Sequence, residues 1–249
     1  MRNVLVLFSI LIGCWTMAEP VKSVLSARHS AFGGEETAIW ENPYLTDGLV
    51  AMWDGEWNIS GGKHSQSTSV WMDIVGGVEL NVTRGEWLSN GLSWIPNNQS
   101  QAINTAIPNS LREILVSNYV TVEAVVTPQA RGSGCYNMCN TTFRIYCAGN
   151  TDIINYFKIK SGPFYCIQYV EMDTPISFTA VVFPPKNIWW GINGNIVSST
   201  TNYSSPSPNN TIELYSKGIV HSVRIYSRAL SAEEIAYNYE IDQMRFGLP

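Results

Sequence analysis

Gly218-Ile219-Val220-His221-Ser222-Val223-Arg224-Ile225-Tyr226-Ser227-Arg228-Ala229-Leu230-Ser231-Ala232-Glu233-Glu234-Ile235 is the stretch on which the fold turns. Its first half, to Tyr226, is dominated by β-branched and aromatic residues and reads as a strand. Its second half opens a helix. Ser231 and Glu234 form a capping box, in which the Ser231 hydroxyl accepts the N3 amide proton and the Glu234 carboxylate reaches back to the Ser231 amide. Leu230 and Ile235 occupy the hydrophobic-staple positions on either side of it. Ile235 and Tyr239 are four residues apart and share a face, as do Tyr237 and Ile241. The helix is expected to end near Arg245, before Phe246-Gly247.

Working back from this end, short β-rich runs are separated by turn signals. They cover Leu49 to Trp53, Val70 to Val75 before Gly76-Gly77, Tyr119 to Thr127, Phe143 to Ala148, Tyr156 to Lys160 and Phe164 to Val170. Ile176 to Phe183 follows and stops at Pro184-Pro185, which cannot continue a ladder. Ile188 to Ile192 and Asn195 to Ser198 flank Asn193-Gly194, the signature of a type I′ hairpin. Thr211 to Tyr215 precedes the last strand. No long helical pattern and no internal repeat interrupts the series. Many short strands at close spacing argue an all-β, two-sheet antiparallel sandwich or jelly roll with one short C-terminal helix.

The chain begins with one basic residue, Arg2, and then about ten apolar residues from Val4. A membrane-crossing helix needs about 20, so the run reads as a secretory signal peptide. Thr16-Met17-Ala18 supplies small residues for cleavage before Glu19, giving a signal over residues 1–18. Leu11-Ile12-Gly13-Cys14 also fits a lipobox, in which the signal ends before Cys14 and Cys14 carries a lipid anchor. Residues 19–46 read as a polar linker and first strand, near Ile39-Trp40, and residues 47–249 as the domain proper. The expected site of action is extracytoplasmic, secreted or at the cell surface, and no later segment reads as transmembrane.

Composition narrows the partners. The chain is 45% hydrophobic but only 14% charged, with a formal charge of −5. Its fifteen Lys and Arg are scattered and form no phosphate-tracking stripe, which argues against nucleic acid. Beyond Cys14 stand Cys135, Cys139, Cys147 and Cys166, an even set in an oxidising compartment, so they are disulfide candidates with three allowed pairings. Cys139 and Cys147 would pair if they faced each other across a hairpin. The unequal intervals between the four do not fit the paired spacing of a zinc site.

The closing strand and helix resemble the last segment of laminin-G-like domains of the concanavalin A-like lectin and glucanase superfamily. The resemblance rests on Val223-Arg224-Ile225-Tyr226, Arg228-Ala229-Leu230 and the capped turn Ser231 to Ile235. Asn238-Tyr239-Glu240-Ile241-Asp242 resembles the tails of such domains in bacterial surface proteins. Asp47-Gly48-Leu49-Val50-Ala51-Met52-Trp53-Asp54-Gly55 is similar to their first core strand, and Trp71-Met72-Asp73-Ile74-Val75-Gly76-Gly77 to their next landmark. The resemblance implies two antiparallel sheets packed face to face. It also implies a calcium ion at a rim loop, for which Asp54 and Asp73 are the nearest oxygen donors.

Enzymatic chemistry finds little support at this level. Retaining glycosidases place two carboxylates about 5 Å apart, which the superfamily's glucanases achieve with a Glu-x-Asp-x-x-Glu strand. Glu240-Ile241-Asp242 and Glu171-Met172-Asp173 both lack the third acid. His29, His64 and His221 lie far apart in sequence, and no nucleophile elbow or phosphate loop is present. The expectation is therefore a non-enzymatic recognition module for a glycan or cell-surface protein, with a glycoside hydrolase and a purely adhesive surface protein as alternatives. Tryptophans suit sugar stacking, and Trp57, in a Gly- and Asn-rich loop, and the adjacent Trp189 and Trp190 are the candidate ligand contacts.

Overall fold

The computed structural model describes residues 41–249 apart from 59–61, 83–84, 94–102, 107, 129–133, 139–142, 149–155, 162–163, 170, 172, 185–186, 202–210 and 215–217. The signal segment with Cys14, the strand expected at Ile39-Trp40, and Cys139 lie outside the described residues.

In chain order the elements are β1 (Leu49–Asp54), β2 (Val70–Met72), β3 (Glu79–Asn81), β4 (Glu86–Leu88), β5 (Gly91–Ser93), β6 (Ile103–Ala106), α1 (Asn109–Leu115), β7 (Val120–Pro128), β8 (Gly134–Met138), β9 (Phe143–Ala148), β10 (Tyr156–Ser161), β11 (Phe164–Tyr169), β12 (Ile176–Phe183), β13 (Asn187–Ile192), β14 (Asn195–Thr200), β15 (Thr211–Leu214), β16 (Gly218–Tyr226) and α2 (Ala232–Phe246). All pairings are antiparallel. The main sheet runs β14-β13-β12-β7-β16-β5-β4, and β1 also pairs with β16. Smaller ladders join β2 to β3, β6 to β15, and β8 through β11. The result is an all-β sandwich with a large sheet and smaller ones.

Strand β16 organises the sheet. One edge pairs with β7 along its length, while the other is shared between β5 at Ile219-Val220 and β1 from Ser222 to Tyr226. A bulge between Val220 and Ser222 places His221 where the partner changes. Strand periodicity then sorts side chains onto two faces. Ala51 and Trp53, Val122 and Ala124, Phe178 and Ala180, Ile188 and Trp190, and Val223 and Ile225 share one core with Trp71, Leu80, Leu111 and Leu115. The alternate residues face α2. Both faces are covered, so β7 and β16 are buried at every position.

The capping box forms as read: the Glu234 amide donates to Ser231 Oγ, and the Ser231 amide to Glu234 Oε2 at 2.8 Å. Leu230 and Ile235 meet in one buried cluster. Gly247, at φ 68°, closes the helix in the left-handed conformation that glycine adopts without penalty. One stripe of the helix faces inward. It consists of Ile235, Asn238, Ile241, Asp242 and Phe246, with Tyr237 left exposed. Strands β3, β4 and β5 span three residues each, too short to display a period, and β6, β8 and helix α1 are also additions to the elements expected.

Candidate functional site

Strand β1 leaves the sheet at Asp54 and enters a loop that returns at Lys63. Asp54 is fully buried, and its Oδ1 accepts the amide protons of Glu56 and Trp57, both at 3.0 Å. Arg245, in the last turn of α2, grips the same carboxylate with two prongs of 2.7 and 3.0 Å. Gly55 is required here because a Cβ would sit 2.6 Å from Gly91 Cα and 2.8 Å from the His221 carbonyl. Trp57 and Lys63 form a β-bridge, and the Asn58 amide donates to the Gly62 carbonyl at 2.7 Å. The Asn58 side chain ties the loop to β2, donating to Val70 O and accepting from the Met72 amide.

Aromatic rings floor this rim loop. His64 stacks flat on Trp87 at 3.6 Å between centroids, and Trp71 stands edge-on to both. His64 Nε2 lies 2.9 Å from the Asp54 carbonyl, which also accepts from Trp71 Nε1 at 2.8 Å. Burial lowers the His64 pKa, so the neutral ring is favoured. Above this floor, Trp57 is half-buried. Lys63 Nζ stands 4.9 Å from the centre of its ring and 2.7 Å from Glu56 Oε1. The described residues of the loop thus bring an indole, an ammonium and a carboxylate together.

The other tryptophan candidates are placed differently. Trp190 is fully buried in the main core, with no ring face left for a ligand. Trp189 points to the opposite face of the sheet, half-buried against Phe183 at 4.6 Å. The structure brings neither beside Trp57.

Asp54 and Asp73 do not fit a calcium ion. Asp54 is engaged by Arg245 and two amides. Asp73, also fully buried, accepts from the amides of Met52 at 2.7 Å and of Val75 and Gly76 at 2.9 Å. Surroundings built from N–H donors match a carboxylate and repel a cation, which needs six to eight oxygens. Both acids act as loop braces. Among the described residues no group of three or more His, Cys, Asp or Glu is arranged to hold a metal.

Strands β8 and β9 are antiparallel neighbours, and Cys139, which could pair with Cys147 across a hairpin, lies outside the described residues. The register of the two strands sets Cys147 opposite Gly134, at the end far from the connecting turn. Cys135 opposes Tyr146, and Cys166 opposes Ile159. Directly facing cysteines are therefore absent among the described pairs.

A buried polar cluster among the described residues was not expected from the sequence. Arg224 on β16 binds Glu123 on β7 at 3.0 Å and Asp242 on α2 at 2.6 and 2.7 Å. Asn238 donates to Glu123 and to the Tyr226 hydroxyl, and Ser177 donates to Asp242. Tyr44 lies over the Arg224 guanidinium at 3.9 Å and donates its hydroxyl proton to Asp242 at 2.8 Å. Burial, then the Asp242 charge, pushes the Tyr44 pKa well up, so the phenol stays protonated. Burial likewise raises the Glu123 pKa, against the pull of Arg224. The cluster combines two acids, an arginine and two tyrosines, but α2 and the segment before β1 seal it from solvent. It clamps the helix to the sheet. Its one sequence signal was a charged residue, Arg224, in the middle of an otherwise apolar strand.

No family model matches the chain, and no curated protein matches it. Solved structures do. A Trypanosoma rangeli sialidase in complex with sialic acid matches with a TM-score of 0.58 and 16% identity, over 79% of this chain and 33% of that one. The same enzyme with 2,3-difluorosialic acid, a covalent intermediate, gives 0.58 and 16% with the same coverage. A mutant displaying trans-sialidase activity gives 0.57 and 16%, over 80% of this chain. The chain therefore spans about a third of the length of these sialidases. At this identity the likeness establishes the fold alone, a β sandwich.

One expectation is corrected by this finding. The chain was expected not to be an enzyme because the glucanase acid triplet is missing. The matching structures named above are sialidases, aligned over about a third of their length, and sialidases use a tyrosine nucleophile instead of the ordinary carboxylate pair. A search for paired acids cannot exclude that class.

Proposed function

We propose that this chain is an extracytoplasmic carbohydrate-recognition domain of laminin-G-like type, which reads its ligand at the rim loop through Trp57. The observation that carries this reading is the half-buried Trp57 ring, bridged to Lys63 and flanked by the Glu56–Lys63 pair at 2.7 Å. A pyranose offers an apolar C–H face and a ring of hydroxyls, and this trio offers a π surface, a donor and an acceptor to match. The likeness to sialidases supports a sugar ligand at the level of fold. The signal-like first residues support export. A glycan array with and without calcium, on the wild-type chain and Trp57→Ala, tests the reading. Binding lost in the variant upholds it, and an array silent under both conditions refutes it.

A second reading, hydrolysis of a sialoside, draws on the sialidases among the matching structures. Release of 4-methylumbelliferone from its sialoside, dependent on the purified chain, would establish it.

A further inference from the structure

We infer that Arg245 is the positioning residue of the rim loop, so that the seat of the C-terminal helix and the setting of Trp57 form one coupled unit. The chain of contacts is short. Arg245 Nη1 and Nη2 hold the two oxygens of Asp54 at 2.7 and 3.0 Å, with side-chain exposures of 12% and 0%. Asp54 Oδ1, one of those two atoms, is the acceptor for the Glu56 and Trp57 amides. Arg245 Nη2 also stands 3.8 Å from Glu56 Oε2, and Glu56 holds Lys63 over the Trp57 ring.

The fork is itself tightly set. Arg245 Nη1 donates to the Tyr44 hydroxyl at 3.1 Å, and the guanidinium stands 4.8 Å from the Phe246 ring centre. A planar guanidinium fits this arrangement where a point charge would satisfy only part of it. Helix α2 does not depend on Arg245 to stay docked, because Arg224–Asp242 and Asn238–Glu123 anchor it independently. Arg245 is mostly buried and acts through Asp54 and Glu56, not by touching the ligand. The consequence for affinity rests on the reading of Trp57 as the ligand platform. The local coupling does not.

The test is hydrogen exchange on the whole chain, wild type, Arg245→Met and Arg245→Lys, alongside binding to immobilised laminarin, mannan, xylan and sialyllactose. Arg245→Met is expected to lower protection of the Glu56 and Trp57 amides by about tenfold or more while β7 and β12 stay protected. Affinity for whichever glycan binds the wild type should fall by about tenfold, with stoichiometry unchanged. Arg245→Lys should recover part of both. Unchanged protection at the two amides in Arg245→Met, or a loss spread evenly over the sheet, overturns the inference. Lost protection with no glycan bound by the wild type upholds Arg245 and removes the glycan reading. Lost protection with equal binding of one glycan by wild type and Arg245→Met upholds the local coupling and overturns Trp57 as the platform for that glycan.

Discussion

Arg224 and Asp242 meet as a two-pronged ion pair, 2.6 and 2.7 Å, with side-chain exposures of 1% and 0%. A pair this dry is held by geometry and by the remaining hydrogen bonds, since removing two charges from water offsets much of their attraction. Taking away one partner strands the other. Arg224→Met leaves both Glu123 and Asp242 without their cation and is expected to cost about 3–5 kcal/mol. Urea unfolding followed by circular dichroism measures it. The double variant Arg224→Met/Asp242→Asn should lose less than the sum of the two single changes, because each removes the charge that the other leaves unpaired. Additive losses would show that the pair does not couple the helix to the sheet.

Stability should fall with mild acid through His221. Its Nε2 lies 2.8 Å from Thr127 Oγ1 and its Nδ1 2.8 Å from the Asn90 carbonyl, so the neutral ring uses one nitrogen as donor and one as acceptor. Burial lowers its pKa from 6.5, although Asn90 and the Asp242 and Asp54 charges pull upward. The unfolded chain therefore takes up a proton first. The contribution of His221 is whole above about pH 6.5 and is lost as pH falls from there towards the folded pKa, at no more than about 1.4 kcal/mol per pH unit. The buried acids Glu123 and Asp73, whose pKa values burial raises from 4.5 and 3.8, act with the opposite sign. Urea midpoints between pH 7.5 and 5.5 should slope less in His221→Gln than in the wild type. Parallel slopes would refute the assignment.

The architecture was legible where local signals are strong. The Ser231–Glu234 box, the Asn193-Gly194 turn and the apolar strands from Val120, Ile176 and Gly218 all carry their structure in neighbouring residues. What was hidden depends on pairs far apart in the chain. Asn238 and Asp242 sit on the inward stripe of α2, where pattern alone expects apolar residues, because Glu123 and Arg224 wait beneath them. Trp57 was singled out from its loop, but its brace, Asp54 with Arg245, joins residues 191 positions apart. Trp189 and Trp190 look alike in sequence, and only the pairing of β13 decides which one enters the core.

Gly194 should not tolerate a side chain. Its φ is +74°, and a Cβ would stand 2.6 to 2.9 Å from Tyr239 on α2. Gly194→Ala is expected to cost about 1–3 kcal/mol, part from the left-handed backbone and part from overpacking. Adding Tyr239→Ala relieves the ring contacts of the second part, at 2.6 and 2.8 Å, and leaves the Cβ contact at 2.9 Å and the backbone part in place. Thermal unfolding of the two single variants and the double separates them, and an unchanged midpoint in Gly194→Ala would mean that the turn does not dock on the helix.

Chelation provides the last check, on the two acids that the resemblance offered for calcium. A site that loses its cation exposes carboxylates to one another, and the protein then melts earlier with EDTA, by an amount set by the ligand's affinity. Asp54 and Asp73 already have their oxygens filled, one by Arg245 and two amides, the other by the amides of Met52, Val75 and Gly76. A cation at either place would have to displace those donors and meet the Arg245 charge. EDTA should therefore leave the melting midpoint where it was, whereas Asp73→Ala, which orphans the buried Met52 amide and frees the part-buried amides of Val75 and Gly76, should lower stability by about 1–3 kcal/mol with or without the chelator. If EDTA lowers the wild-type midpoint and Asp73→Ala abolishes that shift, the amide brace is the wrong description and Asp73 is a metal ligand after all.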